Sequence, residues 1–183
     1  GSTTTSHRLK SEIHKIPRKA GLPELEKLLN EYSDIFPDDL PKNNLVERKI
    51  SLRIPIKPGF SPPCQAPYRA SHEGQQTIQE TLKYLYDHGF VRESLSEYGA
   101  PVTLARKSDG TWRFCVDYQR LNSITKEAKF PLPRIDDCLD KLGKAKIYSK
   151  LDLRSGYWQV KIHPDDIEKT AFRTQDGHHE FVV

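Results

Sequence analysis

No apolar run in this sequence approaches the length of a membrane span, and no charged-then-apolar leader pattern opens it. The chain as given is therefore expected to be soluble, free of membranes and not secreted. Cysteine is scarce: Cys64, Cys115 and Cys138 stand at wide, irregular spacing. An odd number so placed argues against a disulfide framework and offers no zinc-ligand pattern, so reduced thiols in an intracellular compartment are the expectation. Internal repeats and low-complexity tracts are missing too. Hydrophobic residues reach only 36% against 30% charged, so the core is lean, although 183 residues suffice for one domain with or without an extra arm. The net charge of +4 is modest, but residues 101–150 carry eleven Lys/Arg against six Asp/Glu. That local excess suits a polyanionic partner, and equally a solvated basic face.

What is present divides the chain. Residues 3–20 are polar, basic and aperiodic, which predicts a poorly ordered arm. Pro23 opens a helix bearing Leu25, Leu28, Leu29, Tyr32 and Ile35 at helical spacing, to stop by Phe36-Pro37. This amphipathic segment either packs on its own domain or binds a partner. From Asp38 to Pro67, prolines interrupt short apolar runs such as Ile50–Ile54, which predicts extended chain and an edge strand. Ser71 caps a second helix carrying Ile78, Leu82, Leu85 and Tyr86 on one face and ending at His88-Gly89. Residues 101–106 and 111–118 form a hairpin around Lys107-Ser108-Asp109-Gly110, with Arg106, Lys107 and Arg113 at its tip. A short helix is expected from Arg134 to Leu142, closed by Gly143, and a second hairpin around Asp176-Gly177. The chain ends within that predicted hairpin, the pattern expected of a cut inside a domain.

The stretch Lys146 to Val160, KIYSKLDLRSGYWQV, poses a chemical question. Ile147, Leu151 and Leu153 read as a strand entering a core, yet Asp152 stands among them. A carboxylate there is either a structural acid paired with a cation, or an oxygen ligand for Mg²⁺, which takes one or two carboxylates plus substrate phosphates. The basic hairpin tip upstream and the Gly156-Tyr157 pair downstream make a nucleoside-triphosphate site the sharper of the two readings.

Several ordered blocks carry a resemblance: Ala66-Pro67-Tyr68-Arg69, Tyr98 to Val102, Asp109 to Tyr118, Leu121-Asn122, Phe130 to Asp137, Ser149 to Tyr157 and Lys169 to Phe172. Over residues 45–183 the chain resembles the reverse transcriptase of gypsy-type LTR retrotransposons, and residues 1–44 resemble the variable connection ahead of such polymerases. The resemblance implies an α+β fold, the fingers and first part of the palm of a right-hand polymerase, and localisation to the cytoplasm. It implies that Asp152 is the first catalytic aspartate and metal ligand, and that the Leu153 backbone carbonyl is a further ligand. Two Mg²⁺ ions are the implied cofactors, with Mn²⁺ as a substitute. Lys107 and Arg113 match positions that neutralise the triphosphate, Ser155 and Gly156 offer backbone amides near it, and Tyr157 matches the aromatic gate that excludes a ribose 2′-hydroxyl. Tyr157 is alternatively, or at the same time, a packed aromatic; Trp112 and Trp158 read as packing residues.

The implied partners are an RNA or DNA template-primer and deoxynucleoside triphosphates. The implied reaction is in-line attack of a primer 3′-hydroxyl on the α-phosphorus, with pyrophosphate leaving. Yet the family draws further metal ligands from a Tyr-x-Asp-Asp hairpin, which these 183 residues do not contain. Asp165-Asp166, in a polar turn, does not replace it, and Gln119 stands where the family usually has Arg. The chain alone is thus expected to be inactive as a polymerase and to self-associate through an exposed sheet edge. The alternative function is a non-catalytic nucleic-acid- or protein-interaction module derived from such a polymerase.

Overall fold

The computed structural model describes residues 23–37, 39–40, 42, 48–127, 129–143 and 148–183, and the arm expected at residues 3–20 lies outside them. The chain divides into two compact units, Gly1–Leu40 and Pro41–Val183. In the first, helix α1 (Pro23–Glu31) buries none of its residues and passes into a 3-10 turn at Ser33–Ile35, so the helix ends before Phe36-Pro37 as its sequence indicates.

The second unit is α+β. Its five-stranded sheet comprises β1 (Val91–Glu93), β2 (Ala100–Arg106), β3 (Trp112–Val116), β4 (Phe172–Arg173) and β5 (His178–Phe181), in the order β1-β5-β4-β2-β3. All neighbours are antiparallel except β2 and β4, which run parallel with Ala100 opposite Phe172. Helix α2 (His72–Asp87) covers one face. The Ser71 hydroxyl accepts from the Gly74 amide at its N-terminus, and Gly74, Ile78, Leu82 and Leu85 are buried. A Cβ at Gly74 would stand 2.9 Å from Leu104 Cδ1, so any larger residue there requires the Leu104 side chain to move. Tyr86, expected on the buried face, lies at its margin and reaches His179 through its hydroxyl instead. The core continues through Phe90, Val91, Val102, Ala171 and Phe172.

Helices α3 (Gln119–Ile124) and α4 (Ile135–Leu142) complete the regular structure, with Leu121 and Ile124 buried on α3. Helix α4 ends at Gly143 as expected, but Ile135 and Leu139 are exposed. The edge strand expected at Ile50–Ile54 reduces to a single bridge between Leu52 and Ile162. The Ile54 amide, next in line to donate, is taken by the Asp166 carboxylate, so the pairing does not propagate.

One expectation fails outright. Residues 148–153 form no strand, and Leu151 and Leu153 are 81% and 71% exposed, as is the Asp152 side chain to solvent; Ile147 lies outside the described residues. A strand needs hydrogen-bonded neighbours to hold its shape, and no described strand pairs with this segment. The alternating pattern is present, but no described strand lies beside it to complete a ladder.

Candidate nucleotide-handling site

The basic hairpin is built as its sequence indicates. Thr103 pairs with Cys115, Ala105 with Arg113 and Arg106 with Trp112. The Lys107 amide donates to the Thr111 carbonyl at 2.8 Å, and the Asp109 carboxylate accepts from the Thr111 amide and hydroxyl. Gly110, at φ 81°, supplies the left-handed residue that closes the turn. The turn satisfies its own backbone, leaving the Lys107 side chain exposed to solvent.

Strand alternation then sorts the cations. Arg106 lies over the Trp112 ring at 5.0 Å, and the Trp112 indole donates to Glu73 of α2, so that pair is engaged in packing. Arg113 shares the opposite, exposed face with Thr103 and Ala105. Lys107 and Arg113 are therefore the cations of this hairpin most open to a ligand.

The second part is the turn from Asp152 to Gln159. Ser155 adopts φ 47°, ψ 46°, and Gly156–Gln159 form one 3-10 turn. A non-glycine residue in the left-handed region is held only where its surroundings over-determine it. Three contacts do so. The Trp158 amide donates to the Ser155 carbonyl at 2.9 Å, the Gln159 side chain donates to the Arg154 carbonyl at 2.8 Å, and Arg48 Nε donates to the Gln159 carbonyl at 3.1 Å. The Trp158 ring sits 5.3 Å from Phe90 and 6.2 Å from Tyr84, so the turn is anchored on α2 and the chain after it. Trp158 is thus a packing residue, as its sequence context indicates.

From this anchored turn Tyr157 projects into solvent, 94% exposed. The reading of Tyr157 as a packed aromatic is not realised. Asp152 and Leu153 precede the turn and are exposed as well. The carboxylate is solvated, so it carries no buried charge needing an ion or a salt bridge, contrary to the argument from a buried strand. Among the described residues no three His, Cys, Asp or Glu cluster at metal-binding range. The Asp152 carboxylate and the Leu153 carbonyl are hard oxygens suited to Mg²⁺, but two such donors are only part of the octahedral shell it demands.

The structure thus brings Asp152, Leu153, Ser155, Gly156 and Tyr157 together on one turn and Lys107 with Arg113 on one hairpin. No direct hydrogen bond or ion pair joins the two groups among the described residues. The supporting residues Gln159, Arg48, Tyr84 and Phe90 carried no signal in the sequence as members of a site. Asp165 and Asp166 lie elsewhere in function: the buried Asp166 carboxylate accepts from the Ile54 amide and pairs with Arg53 and Lys169, tying the proline-rich segment to the 3-10 turn at Pro164–Thr170.

The α+β unit with its five-stranded sheet has the fold of reverse transcriptase polymerase domains. Residues 105–181 match the family described as reverse transcriptase (RNA-dependent DNA polymerase). The Retrovirus-related Pol polyprotein from transposon 412 of Drosophila melanogaster is 33% identical over 97% of this chain, and the Tf2-3 transposon polyprotein of Schizosaccharomyces pombe 30% identical over 99%. The prototype foamy virus protease-reverse transcriptase superposes with a TM-score of 0.74 at 27% identity over 95% of this chain. The chain belongs to the reverse transcriptase family of LTR-retrotransposon Pol polyproteins. It spans 15% of the transposon 412 polyprotein and 24% of the foamy virus chain.

Proposed function

We propose that residues 45–183 supply the fingers and first part of the palm of an RNA-directed DNA polymerase, and that residues 1–44 are the connection preceding it. The observation that carries this reading is the anchored turn, which leaves Tyr157 exposed, with Asp152 and Leu153 exposed just ahead of it in the chain, while Trp158 and Gln159 are fixed.

In this reading Asp152 and Leu153 would hold Mg²⁺, which when bound neutralises phosphate charge and favours ionisation of the attacking hydroxyl. Lys107 and Arg113 take up charge on the triphosphate, where Arg offers a planar fork and Lys a point charge. The Ser155 and Gly156 amides flank the phosphates, and the Tyr157 ring forms a wall against a 2′-hydroxyl. The template-primer is the partner; foamy viral protease-reverse transcriptase of the same fold is known in complex with double-stranded DNA and with RNA/DNA hybrid. No described helix is long and apolar enough to cross a membrane, and we place the work of the protein in the cytoplasm with the rest of its family.

Primer extension on an RNA template with Mg²⁺ and deoxynucleotides tests the reading. The chain is compared with one extended through a Tyr-x-Asp-Asp segment, each with and without Asp152→Asn. The expected result is activity in the extended chain alone, lost on substitution. Activity that survives Asp152→Asn would sink the metal assignment. Self-association is favoured by the exposed Phe130, Leu132, Ile135 and Leu151 side chains. A sedimentation coefficient of residues 1–183 that stays constant with concentration argues against it.

A further inference from the structure

We propose that Gln159 is a positioning residue for Tyr157, and that through it Gln159 sets how sharply deoxynucleotides are preferred over ribonucleotides. The inference rests on Tyr157 acting as the wall described above. Its ring is 94% exposed, so packing of the ring does not fix where it stands. Only its backbone can do so, and that backbone hangs between Ser155 at φ 47° and Gln159.

Gln159 acts on both ends of this span. Its side-chain amide reaches back five residues to donate to the Arg154 carbonyl at 2.8 Å, closing the turn from within. Its own carbonyl accepts from Arg48 Nε at 3.1 Å, which fixes the far end to the segment before Ile50. Next to it, Trp158 is held against Phe90. Gly156 is closely approached too, since a Cβ there would lie 3.1 Å from Leu153 Cβ. The turn is therefore compact, and the Gln159 side chain closes it from within while Arg48 holds its far end. Methionine fills the same volume without donating, which would remove the hydrogen bond to the Arg154 carbonyl and let Ser155 relax out of the left-handed region. A wall that moves by a fraction of an ångström rejects a hydroxyl poorly, because selectivity of this kind depends on fixed geometry.

The test uses a polymerase in which residues 1–183 are followed by the rest of the domain, carrying Gln159→Met, Tyr157→Ala or both. The readout is the ratio of kcat/KM for a deoxynucleotide to that for the matching ribonucleotide. Gln159→Met is expected to lower this ratio by about three- to tenfold, the range set by losing one hydrogen bond. In the Tyr157→Ala background it should add nothing, because the two residues act as one unit. An unchanged ratio in Gln159→Met, or equal effects in both backgrounds, overturns the inference. If Tyr157→Ala itself leaves the ratio intact, the wall reading falls and takes this inference with it; if Tyr157→Ala collapses the ratio and Gln159→Met does not, only the inference falls. Amide hydrogen exchange on residues 1–183 gives an answer independent of activity: Trp158 should exchange faster in Gln159→Met while α2 is unaffected. Unaltered Trp158 protection would count against the role.

Discussion

The Tyr118 hydroxyl donates to the carbonyl of Thr170 at 2.6 Å, joining the end of the basic hairpin to the residue that leads into β4. Burial pushes this phenol far above its ordinary range, so it stays a neutral donor at any physiological pH. Tyr118→Phe keeps the ring and removes the donor. It is expected to cost about 1–2 kcal/mol in urea unfolding, because the Thr170 carbonyl loses its partner while remaining shielded from water. A variant as stable as the parent would show that water replaces the phenol.

The same logic applies to His179 on β5, whose ring is packed against Phe172 at 5.3 Å. Tyr86 Oη lies 2.8 Å from its Nδ1 and Thr174 Oγ1 3.2 Å from its Nε2, so both ring nitrogens are engaged by hydroxyls. Burial lowers its pKa, with His178 adding to the effect, and Glu93 and Asp176 oppose this without prevailing. The folded state therefore prefers the neutral ring. An unfolded histidine titrates near ~6.5, and below that pH the unfolded chain binds the proton more readily. The stability due to neutral His179 is complete above that pH and falls as the pH drops toward the folded value. Urea unfolding should give a lower stability at about pH 5.5 than at about pH 8, with a smaller difference in His179→Gln.

Asp166 works in the acid range. Its burial alone would raise its pKa, but the hydrogen bond from Lys169, the Ile54 amide and the charge of Arg53 together hold it below the usual carboxylate range. A depressed folded pKa means stability that is present above the unfolded value of ~3.9 and lost as pH falls through the folded one. Asp166→Asn is expected to cost about 3 kcal/mol at neutral pH, since it strands buried donors and the partly covered Lys169. The gap between variant and parent should narrow on acidification to about pH 3. A gap independent of pH would mean that packing, not charge, makes Asp166 important.

Local grammar explains which parts of this fold were readable. Ser71 with Ile78, Leu82 and Leu85, the Asp109-Gly110 turn and Gly143 each specify an element through its own neighbours, and each stands where its pattern places it. The segment around Asp152 failed because the strand period of Leu151 and Leu153 states a preference that only an adjacent strand can satisfy. The order β1-β5-β4-β2-β3, with its one parallel pair, was likewise not legible, since it depends on contacts between residues some 70 positions apart, such as Ala100 and Phe172. Lys107, Arg113 and Asp152 stand out in the sequence by charge and placement and Tyr157 by its place beside Gly156, and the resemblance adds the roles proposed for all four. The turn's supports were missed because Gln159 acts through a local side-chain bond with no periodic signature.

That distinction between pattern and packing can be measured directly. Leu85 is fully buried between α2 and the sheet, and its truncation to alanine removes contacts that the core cannot recover, at a cost of about 2–5 kcal/mol. Leu151 and Leu153 belong to a stretch with a similar apolar content, yet at 81% and 71% exposure they have little buried area to lose. In the 183-residue chain Leu151→Ala and Leu153→Ala should each change stability by less than about 0.5 kcal/mol. In a chain extended through the rest of the palm, where a neighbouring strand could cover them, the same substitutions should move toward the Leu85 value. Parallel urea titrations of both chains decide the matter: large losses in the 183-residue chain would mean that residues 148–153 are packed as a core strand already, and that Asp152 carries a desolvated charge after all.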